Sequence, residues 1–154
     1  MASAEYALLR RQLQALMEGV REPIPNLANC SALLYHGLEG LNWAGFYLNT
    51  GKELLLGPFQ GKPACVRIPF HRGVCGAAMR EGKTQRVEDV NAFPGHISCD
   101  DRSQSELAIP LRAGTRLVGI LDLDSPRKGR FSQEDQRELE LLAETLAQGC
   151  CWEE

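Results

Sequence analysis

The chain has no surplus of positive charge: 17 Lys and Arg stand against 20 Asp and Glu, for a net charge of −3. It therefore lacks the basic footprint of a protein that binds nucleic acid or an anionic membrane, and small molecules or other proteins are the expected partners. No apolar stretch approaches bilayer length. The opening Met-Ala-Ser-Ala-Glu-Tyr has no charged segment leading into an apolar one and no glycine placed for myristoylation. A soluble, cytoplasmic protein with no membrane contact is expected. There is neither a Gly-x-Ser-x-Gly elbow nor a glycine-rich phosphate loop, which argues against a serine hydrolase and against phosphate-cradle chemistry. No two cysteines have the Cys-x(2–4)-Cys spacing of structural zinc sites. A zinc ion held among Cys65, Cys75, Cys99, His71 and His96 is thus disfavoured, and no metal is expected.

What is present is 154 residues, 44% hydrophobic and 24% charged, enough for one domain with its own core. A single domain over residues 1–154 is expected, with N-terminal helices within 1–40, sheet and pocket over 41–124 and a C-terminal helix over 132–150. Tyr6 to Glu18, with leucines 8, 9, 13 and 16, and Asn26 to Leu38, with Leu27, Leu33 and Leu34, carry helical stripes. The aromatic run Leu41 to Leu48 and the run Glu53 to Gln60 flank Asn49-Thr50-Gly51 as a hairpin would. Ala64 to Phe70 reads as a third strand, His71 to Gly76 as a turn into a short helical run at Ala77 to Glu81, and Thr84 to Val90 as a further strand. A polar loop, Asn91 to Ser103, leads to a strand from Glu106 to Leu111, paired with Leu117 to Asp124 across Ala113-Gly114-Thr115. Ser132 opens the last helix, with Asp135 in capping-box position and leucines 139, 142 and 146 on one stripe. Helices flanking a meander-like antiparallel sheet make an α+β layout.

Period two along Val118 to Asp124 puts Asp122 and Asp124 on one strand face, with Ile120 continuing it as an apolar floor. A three-residue loop between the last two strands would set Glu106 directly opposite Asp122. Like charges opposed across strands repel, so three acids together need a cation, a hydrogen-bond network or a ligand, and an ammonium group answers all three. Acids on a strand are otherwise ordinarily solvated. Trp43 and Tyr47 share a strand face with Gly45, which leaves a notch fitted to a small apolar group; core packing is the plainer use of such aromatics.

Six cysteines in a reducing compartment permit transient disulfides rather than a permanent framework. Cys75 opens a helical run close to Arg72, so local electrostatics nominate it as the thiolate. Cys99 is flanked by Asp100 and Asp101, which disfavour the thiolate unless they point away. Cys65 and Cys30 read as buried, inert thiols, and Cys150 and Cys151 as incidental. His96, three residues before Cys99, suits orienting a loop or passing a proton, although loop histidines are usually structural.

The segments NWAGFY (42–47), ACVRIPFHRGVCG (64–76), QRVEDVNAFPGHISCD (85–100), SELAIPL (105–111) and VGILDLDSP (118–126) together resemble the free methionine-(R)-sulfoxide reductases, a branch of the GAF-domain superfamily. The resemblance implies a GAF-like fold: a six-stranded antiparallel sheet, flanking helices and a closed pocket for one free amino acid. It implies reduction of free L-methionine (R)-sulfoxide, but not of methionine sulfoxide within a polypeptide. Cys99 would be the nucleophile, Cys65 the resolving thiol and Cys75 an auxiliary thiol. Glu106, Asp122 and Asp124 would form the acidic cluster and Trp43 and Tyr47 would line the ligand. No bound cofactor is implied; a thioredoxin-like protein would be the reductant, and relatives often pair as homodimers through their terminal helices. On the nucleophile, the resemblance overrides the local argument for Cys75. The rival readings are a non-enzymatic GAF module that binds a small ligand and a thiol redox sensor. Such modules usually come attached to an output domain, which weighs toward an enzyme.

Overall fold

The computed structural model describes residues 2–97 and 99–153; Met1 and Glu154, at the limits of the expected domain, and Ser98, within the loop motif, lie outside the described residues. Helices α1 (Ala2–Met17) and α2 (Pro23–Gly37) precede strands β1 (Trp43–Asn49), β2 (Glu53–Gly61) and β3 (Arg67–Pro69). Helix α3 (Gly73–Glu81), β4 (Gln85–Val87), a 3-10 turn (Val90–Ala92), β5 (Ser105–Ala113), β6 (Arg116–Ser125) and α4 (Gln133–Gln148) follow. The strands form one antiparallel sheet in the order β3-β2-β1-β6-β5-β4. This is the expected GAF-like α+β architecture.

Alternation along the strands divides the sheet into two unlike faces. Ala44, Phe46, Leu107, Ile109, Leu121 and Leu123 point to one side and are buried under Leu9, Leu13, Leu27, Leu34, Leu139, Leu142 and Leu146 of α1, α2 and α4. The α1 stripe is Tyr6, Leu9, Leu13 and Met17; Leu8 and Leu16 turn outward. Tyr6 Oη donates to Asp135 Oδ1 at 2.7 Å, joining α1 to the first turn of α4. Ser132 and Asp135 form the capping box that the sequence foretells. Helix α2 starts earlier than Asn26, because Pro23 and Pro25 are tolerated in a first turn, where amides have no partner within the helix. The opposite face carries Trp43, Tyr47, Ala108 and Ile120 beneath Val74, Cys75 and Ala78 of α3.

Three local readings are corrected. Strand β3 spans only three residues, because Gly61, at φ 128°, ends β2 and the chain then loops through Pro63, which has no amide to give the ladder. Cys65 consequently lies in a loop rather than at the head of a strand, although Leu56 still donates to the Val66 carbonyl at 2.8 Å. Helix α3 begins at Gly73 rather than Ala77: Gly73 takes φ 75°, and a Cβ on Gly76 would come 2.8 Å from the Phe70 carbonyl oxygen, so these glycines allow a close helix start. Finally, the β5–β6 turn has two residues, Gly114-Thr115, not three, and a bulge follows at Leu111/Arg112. Glu106 therefore pairs with Asp124, and Ala108 with Asp122.

That bulge decides the site. With a two-residue turn and no bulge, Glu106 would face Leu123 and lie on the helix-covered side. The extra residue restores the parity, returning Glu106 to the face that carries Asp122 and Asp124.

Candidate active site

The acids stand on the central strands because β1, β5 and β6 are in register there: Trp43 pairs with Asp124, Gly45 with Asp122 and Tyr47 with Ile120. Glu106 and Asp122 are 8% and 4% exposed. Burial, with the neighbouring Asp122 charge next, raises Glu106 and Asp124 well above the usual carboxylate range. Asp122 is pushed up only to about 6, by burial, because hydrogen bonds from Glu106 and Cys75 favour its ionised form. Burial thus favours the protonated form of Glu106 and Asp124. The Oδ1 atoms of Asp122 and Asp124, with Asn42 Oδ1, are buried and have no hydrogen-bond partner among the described residues. Three orphaned acceptors in one neighbourhood suit a donor-rich, positively charged ligand.

Two loops close over this floor, and the floor's aromatics hold one of them. Trp43 Nε1 donates to the Lys62 carbonyl at 3.2 Å, and Tyr47 Oη donates to the Cys65 carbonyl at 2.8 Å. Both rings are buried, and they stack on each other with centroids 5.9 Å apart. The expected notch over Gly45 is filled by the protein itself: Phe59 pairs with Gly45 and stacks on Trp43, and its Cβ stands 2.3 Å from where a Gly45 Cβ would be.

The second loop carries Cys99, which is joined to Cys65 in a disulfide with a Cα–Cα distance of 5.5 Å. Cys65 is thus a bonded, half-buried loop residue rather than an inert core thiol. Asn42 Nδ2 reaches across from the start of β1 to donate to Asp100 Oδ2 at 3.1 Å and to Ser103 Oγ at 3.0 Å, tying this loop to the sheet. Arg102 binds Asp100 and holds its carboxyl down to about 2, so the acid next to Cys99 is already neutralised by a partner. Asp101 is exposed. Gly73 N donates to the Gly95 carbonyl at 2.9 Å, which fixes the loop's leading end to α3.

Cys75, at the first turn of α3, is 3% exposed, with Sγ 3.8 Å from Glu106 Oε2. Burial, then the charges of Asp122, Glu106 and Asp124, pushes its thiol well above the usual range. Local electrostatics nominated Cys75 as the thiolate. The structure corrects this, since burial and three acids outweigh the helix N-terminus and Arg72. His96 Nε2 lies 4.0 Å from Glu106 Oε1, and burial lowers its pKa, leaving it neutral at neutral pH. His71 is exposed, apart from the pocket.

These groups surround a cavity of about 40 Å³ whose walls include Trp43, Tyr47, Cys75, His96, Cys99, Glu106, Asp122 and Asp124. Sequence reasoning missed Asn42, Asp100 and Ser103 as members of the site. Asn42 and Asp100 fall inside the recognised motifs, but only contact across the fold reveals them.

A GAF-domain family model matches residues 10–149. The chain is 52% identical over 141 residues to the free methionine-R-sulfoxide reductase of Escherichia coli, covering 92% of this chain and 86% of that protein. The chain belongs to the GAF-domain free methionine-R-sulfoxide reductases. The crystal structure of the Neisseria meningitidis enzyme of this name, solved with its substrate, superposes with a TM-score of 0.92 at 40% identity, over 97% of this chain and 90% of that one. The reduced form of the Staphylococcus aureus fRMsr matches with a TM-score of 0.92 at 44% identity, over 95% of both chains. For a member of this family, the convergence of one disulfide, one free thiol and three acids on a single cavity identifies where the chemistry-bearing side chains lie. No described helix is long and apolar enough to cross a membrane.

Proposed function

We propose that the chain reduces free methionine (R)-sulfoxide to methionine, with Cys99 as nucleophile and Cys65 as resolving thiol. One observation carries the reading: Cys99, bonded to Cys65, lines the same cavity as the carboxyl groups of Glu106, Asp122 and Asp124. The names of relatives, including a structure titled as a complex with its substrate, support the same substrate here.

Cys99 thiolate attacks the sulfoxide sulfur, and protonated Glu106 donates to the sulfoxide oxygen as the sulfur–oxygen bond breaks. Methionine leaves, the oxygen passes with the Glu106 proton to Cys99 as a sulfenic acid, and solvent reprotonates Glu106. The Cys65 thiol then displaces water from that sulfenic acid to form the disulfide, and a thioredoxin-like dithiol reduces it by exchange. Ionised Asp122 receives the substrate ammonium, with Asp124 Oδ1 as a further acceptor, which accounts for selection of the free amino acid because a peptide nitrogen carries no charge. Trp43 and Tyr47 contribute the apolar wall. Cys75, protonated and buried, serves as a reserve thiol. No bound cofactor enters these steps. A cytoplasmic setting, which keeps thiols reduced, suits the recycling. The terminal helices expose Leu8, Leu16 and Leu141, the face we assign to pairing between two copies.

The test is methionine formation from the separate R and S epimers of the free sulfoxide, coupled through thioredoxin and its reductase to NADPH consumption. R-selective turnover is expected, as is loss of single-turnover methionine release in Cys99→Ser. No epimer-specific turnover, or undiminished release from Cys99→Ser, overturns the reading.

A further inference from the structure

We infer that Cys75, Glu106 and Asp122 form an inhibitory binding site for a thiophilic divalent cation of the zinc class. The site goes beyond the proposed reduction, which uses no metal, and its test does not depend on that reduction.

The ligand set is mixed and buried. The Cys75 sulfur and one carboxylate oxygen each from Glu106 and Asp122 all lie within 4.8 Å of one another. Tetrahedral zinc, with bonds of about 2.3 Å to sulfur and about 2.0 Å to oxygen, brings such atoms to separations of roughly 3.3 to 3.5 Å. Cys75 Sγ and Glu106 Oε2 are already at 3.8 Å. His96 Nε2 lies 4.0 Å from the other oxygen of Glu106, beside this group. A second observation also points to a cation: Asp122, 4% exposed and lining the cavity, directs an Oδ1 with no partner among the described residues. Cys75, Glu106 and Asp122 all line the one cavity.

Binding a divalent ion here displaces the Cys75 thiol proton and the protons held by the acids, which pass to solvent. No oxidation is involved. Affinity therefore rises with pH, and the occupied site is closed to any ligand that would use Glu106 or Asp122.

The experiment uses the whole protein in its Cys65–Cys99 disulfide form, in which Cys75 is the one free cysteine lining the described pocket. Co²⁺ alone is titrated in, and the thiolate-to-cobalt charge-transfer absorption is followed. We expect one equivalent to bind with proton release and a band that Zn²⁺ removes. Cys151→Ser should retain the band, and Cys75→Ser should abolish it. Asp122→Asn, which retains the thiol and is expected to fold stably, should weaken binding by at least about tenfold. Absence of the band, its persistence in Cys75→Ser, or unchanged affinity in Asp122→Asn overturns the inference.

Discussion

Replacing Asp122 with Asn should stabilise the ligand-free protein while disabling its site. Asp122 lies on β6 opposite Gly45 and Ala108, is 4% exposed, and leaves Oδ1 without a partner among the described residues. Burial raises its carboxyl from 3.8 to about 6. At about 1.4 kcal/mol per tenfold change in proton affinity, that rise corresponds to roughly 3 kcal/mol of strain in the ionised folded state. The sign follows from linkage: a carboxyl whose folded pKa is raised favours folding fully only below its unfolded pKa, and that contribution is lost as pH rises through the folded value. Wild-type stability should therefore fall between about pH 4 and pH 7 relative to Asp122→Asn, which keeps the shape without the charge. Urea denaturation of both proteins in the disulfide form, at intervals across that range, checks it. The variant should gain up to about 3 kcal/mol at pH 8, equivalent to a Tm increase of several degrees, and nothing near pH 4. Under the proposed function it should also lose affinity for the substrate ammonium. A variant less stable than wild type by a constant amount across the whole range would refute the reasoning, because Asp122 would then be a structural partner and not a charge waiting for a ligand.

Two further substitutions probe how the pocket is held. Asn42→Ala removes both hydrogen bonds to the Cys99 loop, at Asp100 and Ser103. Formation of the Cys65–Cys99 disulfide after one turnover should slow by about tenfold to a hundredfold through misplacement, and an unchanged rate in stopped-flow thiol measurements would exclude Asn42 as a positioning residue. Gly45→Ala sets a methyl 2.3 Å from Phe59 Cβ and 2.8 Å from its Cα. Because part of that clash is with backbone on a central strand, calorimetry should record a loss at the upper end of the usual 1–3 kcal/mol or so for overpacking; a Tm within a degree of wild type would contradict it.

The elements with strong periodicity were legible: the α4 stripe and its capping box, the aromatic β1 and the β5–β6 hairpin follow from local rules. Cys75 shows why the site chemistry was less so. Its chain neighbours, Arg72 and a helix start, favour a thiolate, yet the charges that reach it come from β5 and β6, some 30 and 47 residues away in the sequence. Asp100 errs the other way. It looked like a repulsive neighbour of Cys99, but Arg102 and Asn42 bind it. A titrating group responds to what surrounds it in space, and the sequence displays only what surrounds it along the chain.

The acid cluster also depends on a feature that no periodicity displays. Alternation alone places Asp122 with Asp124 on one strand; whether Glu106 joins them depends on the parity of the β5–β6 pairing. A two-residue turn gives the wrong parity and the bulge at Leu111/Arg112 corrects it, so turn and bulge act as a pair. Pairing Val118, the extra β6 residue opposite Leu111/Arg112, into the ladder while keeping Gly114-Thr115 would turn Glu106 toward the leucine-rich face and Leu107 toward the pocket. Burying that carboxyl among Leu27, Leu34 and Leu139 without a partner is far costlier than the repulsion it now shares with Asp124. The register that assembles the site is thus enforced by the core on the other side of the sheet, which explains how three mutually repelling acids remain together without a ligand.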